Sequence, residues 1–222
     1  MVKGAKSLAA VATIAMIAVA AGAWPAPAFE RGATVATPTL ALRQGRLTLT
    51  LARRTYALLT KSTHGAVPDT RTLTPITPGA DGATGVFLFP LRRGHVDPVG
   101  LTGAASSGGG IRFDSVSQDP KLGQSSTVQF SLTSFALDLS STPAELTATF
   151  VGTSTYHDIP IASLDATSAQ HQVRHGIIAI TGMRVKLLAA GAEVFNQQAY
   201  NNERRRFKIG QTVGTVALTA AG

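Results

Sequence analysis

A mainly β fold, an antiparallel β-sandwich or barrel-like set of sheets carrying two short helices, follows from three features of the chain. Segments that alternate apolar and polar residues recur at short spacing over residues 46–218, bounded by turns of Gly, Pro, Ser or Thr. Only two stretches change to a helical period. Charged residues fill only 14% of the 222 positions while Thr, Ser, Ala and Gly abound, the composition of an exposed β protein rather than of a charged helical enzyme. Splitting this length in two would leave small cores, so one domain is expected over 29–222.

Residues 1–28 read as a signal peptide. Lys3 and Lys6 make a basic start, and an apolar run over 8–21 is too short to span a bilayer comfortably. Ala26-Pro27-Ala28 offers small residues for cleavage after Ala28; Ala21-Gly22-Ala23 offers an alternative after Ala23. An uncleaved anchor is the competing reading, and no second long apolar run follows. The protein is therefore expected to be secreted or held at the cell surface. Cysteine is absent, which excludes a disulfide framework, a thiol nucleophile and a zinc-thiolate site. The formal net charge of +8 favours anionic surfaces such as cell-wall polymers or lipid head groups. Specific nucleic-acid binding is not expected, because the basic residues are not interleaved with exposed aromatics.

The elements follow in order. Residues 46–51 alternate strictly, with Leu47, Leu49 and Leu51 on one face of a half-buried strand. Ala52, Tyr56, Leu59 and Thr63 then fall three or four apart, giving a short amphipathic helix ended by Gly65. This places Tyr56 on the sheet, a ligand-facing role being the alternative. Residues 70–83 hold Pro75 and Pro78 and read as a loop with a short extended piece. An apolar strand over 86–91 leads through a tight turn and a polar crossing with His95 and Asp97 to the glycine turn at Gly108, Gly109 and Gly110, and so to a second strand. Over 123–139, Val128, Phe130 and Leu132 share one parity and Phe135, Leu137 and Leu139 the other; a β-bulge near Thr133 and Ser134 reconciles them. Strands are expected over 144–151, 156–165, 170–181 and 183–187, the last after a turn at Gly182, with another turn at residues 166–168. Leu188, Ala192, Phe195 and Ala199 form the stripe of a second helix, ended by Asn201 and Asn202. A closing strand follows the Gly210 turn.

Few residues suggest chemistry. His171 and His175 share a face if both lie in one strand, but roughly 13 Å apart, too far to hold one metal. Tyr156-His157-Asp158 is a haem candidate, since a phenolate can ligate haem iron and an imidazole can tune it. Neighbours in a strand point to opposite faces, so Tyr156 and His157 converge only across a bulge. His95 and Asp97 have same-face spacing, yet no motif supplies a nucleophile, and Asp97-Pro98 reads as a turn initiator. There is no G-x-S-x-G, H-E-x-x-H or P-loop. The run from Glu203 to Arg206 suits an anion or a solvated surface.

The order of several short motifs resembles the HtaA-like domain family of actinobacterial secreted and cell-surface proteins. These are LTLTL before a short helix, VFLFPLRRGHVDP, GGGIRF, FALDL, IPIASLDA, a helix containing Phe195-Asn196, and the terminal KIGQTVGTVAL. The resemblance covers roughly residues 47–218 and implies a mainly β domain on or outside the cell envelope. Founding members bind haem through a tyrosine paired with a histidine. The resemblance implies a tyrosine near the start of the domain, where this chain has Tyr56, but the residues around Tyr56 do not match the family's and the role is not carried over. A histidine commonly precedes the Gly-Gly turn, where this chain has Ser106 or Ser107, and serine cannot replace an imidazole beside a metal-bound phenolate.

Three functions are therefore carried forward. The first is a non-catalytic envelope β domain that binds a ligand, a cell-wall polymer or an envelope protein. The alternative is a haem-binding or haem-transport protein, with Tyr56, Tyr156 and His157 as candidate cofactor-binding residues. A secreted hydrolase is third. No catalytic or metal residue is nominated.

Overall fold

The computed structural model describes residues 39–60, 69–76, 85–119, 124–200 and 206–222, all within one compact unit. The expected leader over 1–28, its cleavage points, the helix end at Gly65, and Asn201 and Asn202 lie outside the described residues. In chain order, β1 (Leu40–Leu42) and β2 (Gln44–Leu51) precede α1 (Arg53–Thr60). Seven strands follow: β3 (Asp69–Pro75), β4 (Val86–Asp97), β5 (Thr102–Ser107), β6 (Gly110–Asp119), β7 (Gln124–Asp138), β8 (Ala144–Val151) and β9 (Thr155–Asp165). The hairpin β10 (Gln170–Arg174) and β11 (Ile177–Leu187) leads to α2 (Ala189–Tyr200) and the closing strand β12 (Thr212–Ala221).

Neighbour pairings run β4-β2-β12-β11-β9-β8-β7-β5 and return to β4, so eight antiparallel strands close a barrel. Closure removes the free edges that two stacked sheets would leave. Alternation fills the interior as expected. Leu47 lies between Phe89 of β4 and Leu218 of β12, and Leu49 between Phe87 and Val216. All six side chains are buried, and each contributes about 1.5–3 kcal/mol of transfer free energy.

The bulge in β7 lies where the residue pattern demands it. Ser134 has φ 52°, and the register with β8 slips between Thr133 and Ala136, so Phe130, Leu132, Phe135 and Leu137 are all buried. The same bulge moves the strand between partners: β7 pairs with β6 up to Thr133 and with β5 from Ala136. β6 and its outer neighbour β3 thus leave the barrel as a flap.

Three expectations change. β4 does not turn after Leu91 but runs on to Asp97, because it pairs there with β5 on one side and β1 on the other. The expected strand over 170–181 is two strands joined by a two-residue turn at His175 and Gly176, both in the left-handed region (φ 51° and 76°). Gly182 is not a turn but a bulge inside β11, where the register with β12 slips between Ile180 and Met183. In addition, the extended piece expected within 70–83 is the full strand β3.

Candidate functional site

Both helices spring from one end of the barrel. α1 begins where β2 stops, with the Ala52 amide donating to the Val213 carbonyl at the start of β12 (2.8 Å). α2 begins where β11 stops, with the Leu188 amide donating to the Ile161 carbonyl (2.9 Å). Thr55 and Leu59 bury one side of α1, and Ala192, Phe195 and Asn196 one side of α2. Between them lies a wholly apolar cavity of about 30 Å³, bordered by Leu59, Phe195, Leu51, Phe113, Leu187 and Val213 among others.

Tyr56 sits on α1, half-buried and packed against the core as the helical period predicts. Its backbone is held at both ends, the amide donating to the Ala52 carbonyl and the carbonyl accepting from the Thr60 hydroxyl (2.8 Å). The ring faces Gly85, whose φ of 76° suits glycine; a β-carbon there would stand 3.0 Å from the ring Cδ2.

α2 is fixed by a buried amide. The Asn196 side-chain oxygen accepts from the amides of Arg206 (2.9 Å) and Phe207 (3.0 Å), and its nitrogen donates to the Phe207 carbonyl (2.8 Å). This one side chain pins the end of the 201–207 connection against α2. Sequence reasoning recognised Phe195-Asn196 as a motif without assigning this role; the signal was a polar residue directly after a buried stripe position. Among the described residues, the Nε of Arg206 is the buried side-chain polar atom with no hydrogen-bond partner.

Aromatic rings connect the helix to the edge of the sheet. Phe207 packs on Phe195 (5.1 Å between centroids), and Phe195 meets Phe113 edge-on (5.7 Å). Phe113 stacks on Phe130 (4.4 Å), Phe130 on Phe150 (5.8 Å), and Tyr156 ends the row 6.1 Å from Phe150. Tyr156 is 58% exposed. The bulge needed for Tyr156 and His157 to converge is present: Phe150 pairs with Tyr156 and Ala148 with Ile159, so His157 and Asp158 (φ 51°) together oppose Thr149. His157 is exposed.

The remaining candidates take structural places of their own. Asp97 accepts from the Val99 amide (2.8 Å) and so initiates its turn, while Val96 between His95 and Asp97 is buried. His171 lies on β10, whereas His175 is in the hairpin turn, so the two do not share a strand face. Among the described residues, no group of three or more His, Asp or Glu side chains can hold a metal ion. At the place of the family histidine, the Ser107 hydroxyl is buried and donates to the Phe135 carbonyl (3.0 Å), and Ser106 donates to the Arg93 carbonyl (3.4 Å). One carboxylate is strongly perturbed. Bonds from the Lys186 ammonium (2.8 Å) and from Thr167 hold Asp165 well below the usual carboxylate range.

The sequence profile of the Htaa family matches residues 54–205. Among curated proteins none matches the sequence. The C-terminal domain of HtaA from Corynebacterium glutamicum has a similar fold, with a TM-score of 0.56 at 16% identity over 82% of this chain and 98% of that one. The N-terminal domain of the same protein gives 0.48 at 16% identity over 82% of this chain and 99% of that one. The heme binding protein HtaB from the same organism gives 0.48 at 12% identity over 83% and 96%. A family profile that spans both helices and most of the barrel settles the kinship: the chain belongs to the HtaA domain family.

Proposed function

We propose that this is a haem-binding protein of the cell exterior, taking haem at the helix-capped mouth with Tyr56 as the iron ligand. The observation that carries this reading is the extent of the family match, which begins in α1 beside Tyr56 and runs past α2. The residues present suit the group. A phenol oxygen is an established ligand type for ferric haem, and the core beneath the two helices is packed with leucine and phenylalanine, the apolar surroundings a macrocycle favours. Bound haem supplies a ferric iron that accepts one phenolate oxygen. Tyr56 supplies that oxygen, α1 and Gly85 fix its ring, and the apolar side chains nearby keep water from the contact. This apolar cavity of about 30 Å³ is far below the roughly 300 Å³ and upward of small-molecule sites, so we place the macrocycle against the helix-bearing end of the barrel and not within the cavity.

We assign this chain a binding role and no reaction, so the haem reading takes precedence over a wall-binding one. Export through the residue 1–28 leader and retention at anionic wall polymers by the positive charge belong to the same proposal. Tyr156 with His157 is the second reading, supported by the exposed ring and the bulge.

An absorbance titration with hemin separates the two. Wild type is expected to give a saturable one-to-one Soret change with the charge-transfer band of a tyrosine-ligated ferric iron. Tyr56→Phe is expected to lose that band and at least about tenfold in affinity, as loss of a ligand exceeds loss of a ligand's supporting partner. Tyr156→Phe is expected to leave both unchanged. The reverse pattern would transfer the ligand role to Tyr156, and a flat wild-type titration would end the haem reading.

A further inference from the structure

We propose that the outer face of β1, β2 and β4 is a docking surface for an anionic polymer with repeating phosphates; this rests on the cell-exterior part of the reading above and not on haem. Arg43, Arg46 and Arg93 are all exposed there. Leu42 and Leu47, their neighbours in β1 and β2, are buried, and Gly94 pairs with buried Leu42 and Ala105, so all three arginines point away from the barrel interior. The β1–β4 register (Leu42 with Gly94) runs on unbroken into the β2–β4 register (Arg46 with Pro90), which sets Arg43 across from Arg93. Like charges directly opposite on neighbouring strands destabilise the pair. Arg92, next along β4, lays its guanidinium over Gly108 and adds a fourth cation.

The strands supply nothing to offset this charge. β1, β2, β5 and β12 hold no Asp or Glu, and the one carboxylate of β4, Asp97, accepts from the Val99 amide. Among the described residues, none of these arginines is in an ion pair. Cations on other strands are placed differently: Arg112 meets Asp114 (3.0 Å), Lys186 meets Asp165 (2.8 Å), and Arg184 stands opposite Asp165. An uncompensated cluster on one face, kept at a cost to the fold, is matched by an anion from outside. Its layout selects the kind of anion. Guanidinium forks bind phosphate oxygens in pairs. Arg43 and Arg93 stand about 5 Å apart at their β-carbons, and Arg46 lies roughly 10 Å further along the strand. A chain of phosphates can engage all three, where a small anion reaches one or two. Among the described residues, no exposed large apolar side chain lies on β1, β2, β4, β5 or β12. The face therefore offers a bilayer no wedge and suits a polymer instead.

The test titrates long-chain polyphosphate into the protein at several sodium chloride concentrations. Wild type is expected to bind saturably, with an affinity that falls as salt rises. A triple variant, Arg43→Gln with Arg46→Gln and Arg93→Gln, is expected to lose at least about tenfold at low salt. Its slope of log affinity against log salt is expected to flatten by about two, since each phosphate contact on a single flexible chain contributes roughly 0.7. A control triple, Arg174→Gln with Arg184→Gln and Lys208→Gln, removes the same charge from exposed positions elsewhere and is expected to keep the wild-type slope. Without polymer and at low salt, the first triple is expected to melt above wild type, because the opposed arginines are gone. Equal losses in the two triples would overturn the assignment, as net charge and not this face would then carry the affinity. A lower melting temperature in the first triple would overturn it too, since the arginines would then serve the fold. So would a wild type that ignores polyphosphate, and its binding to phosphatidylglycerol vesicles instead would mark the face as a membrane surface. None of these outcomes touches the hemin titration, so the two readings fail separately.

Discussion

Asn196 is a residue whose replacement has a calculable local cost. Removing its amide takes away the three hydrogen bonds it makes to the Arg206 amide and to the Phe207 amide and carbonyl beneath α2. A buried group left unsatisfied costs about 1–3 kcal/mol, so Asn196→Ala is expected to lose at least about 2 kcal/mol by urea unfolding with an unchanged slope. A loss under about 0.5 kcal/mol would mean that the loop finds water instead. At this scale the sequence was legible for Tyr56, because the Ala52-Tyr56-Leu59 spacing already set it against the core. For Arg206 the sequence offered only the reading of the Glu203–Arg206 run as an anion site or a solvated surface, and the unpartnered Nε is a fact of three-dimensional burial. The three bonds of Asn196 likewise span ten or eleven residues, a separation that no local pattern encodes.

Elements were legible where one face is buried and period alone decides. β2, β8 and both helices were read to within two residues at the boundaries that are described, and the β7 bulge followed from two clashing parities. The misreadings lie at glycines and charges, where local composition alone does not decide between an end and a continuation: β4 and Gly182 were read as ends, and the turn at His175 and Gly176 as continuous strand. In β4 the register with β5 slips between Leu91 and Arg93, and from Gly94 to Val96 the strand pairs with β5 on one side and with the distant β1 on the other, so tertiary pairing overrides the local break. In the β10–β11 hairpin, a histidine occupies the first left-handed turn position where Asn or Asp would have announced it. Gly191 tests how tightly one element is seated. It lies in the first turn of α2, and a β-carbon there would run into the backbone carbonyl of Ile161. Glycine to alanine inside a helix ordinarily gains about 1 kcal/mol. Here the clash is with backbone and cannot be relieved by a rotamer change, so overpacking of about 1–3 kcal/mol is the larger effect. Gly191→Ala is expected to lower the melting temperature and to lift α2 from the mouth; a rise in melting temperature would show that the helix slides freely.

For the whole molecule, the residue pattern left sandwich and barrel open, since both need the same alternating strands. The choice was made by β5, a short segment of Thr, Gly, Ala and Ser with little apolar signal, which bridges β4 and β7 and closes the ring. Closure bears on how a ligand can act. The cavity of about 30 Å³ beneath the helices is too small for a macrocycle, so on the proposed reading haem binds at the mouth and leaves the strands as they are. Haem should then stabilise the fold by mass action alone. At a free hemin concentration of about a hundred times Kd, the gain is about 2.7 kcal/mol, and for a chain of this size that raises Tm by roughly 5–10 °C. The expected result is such a rise, with the far-ultraviolet circular dichroism of the strands unchanged and the rise absent in Tyr56→Phe. A fall in Tm on adding hemin would mean that haem binds the unfolded chain in preference to the folded one, and a loss of strand signal with a rise in Tm would mean that haem enters by opening the barrel, moving the site from the mouth to the interior.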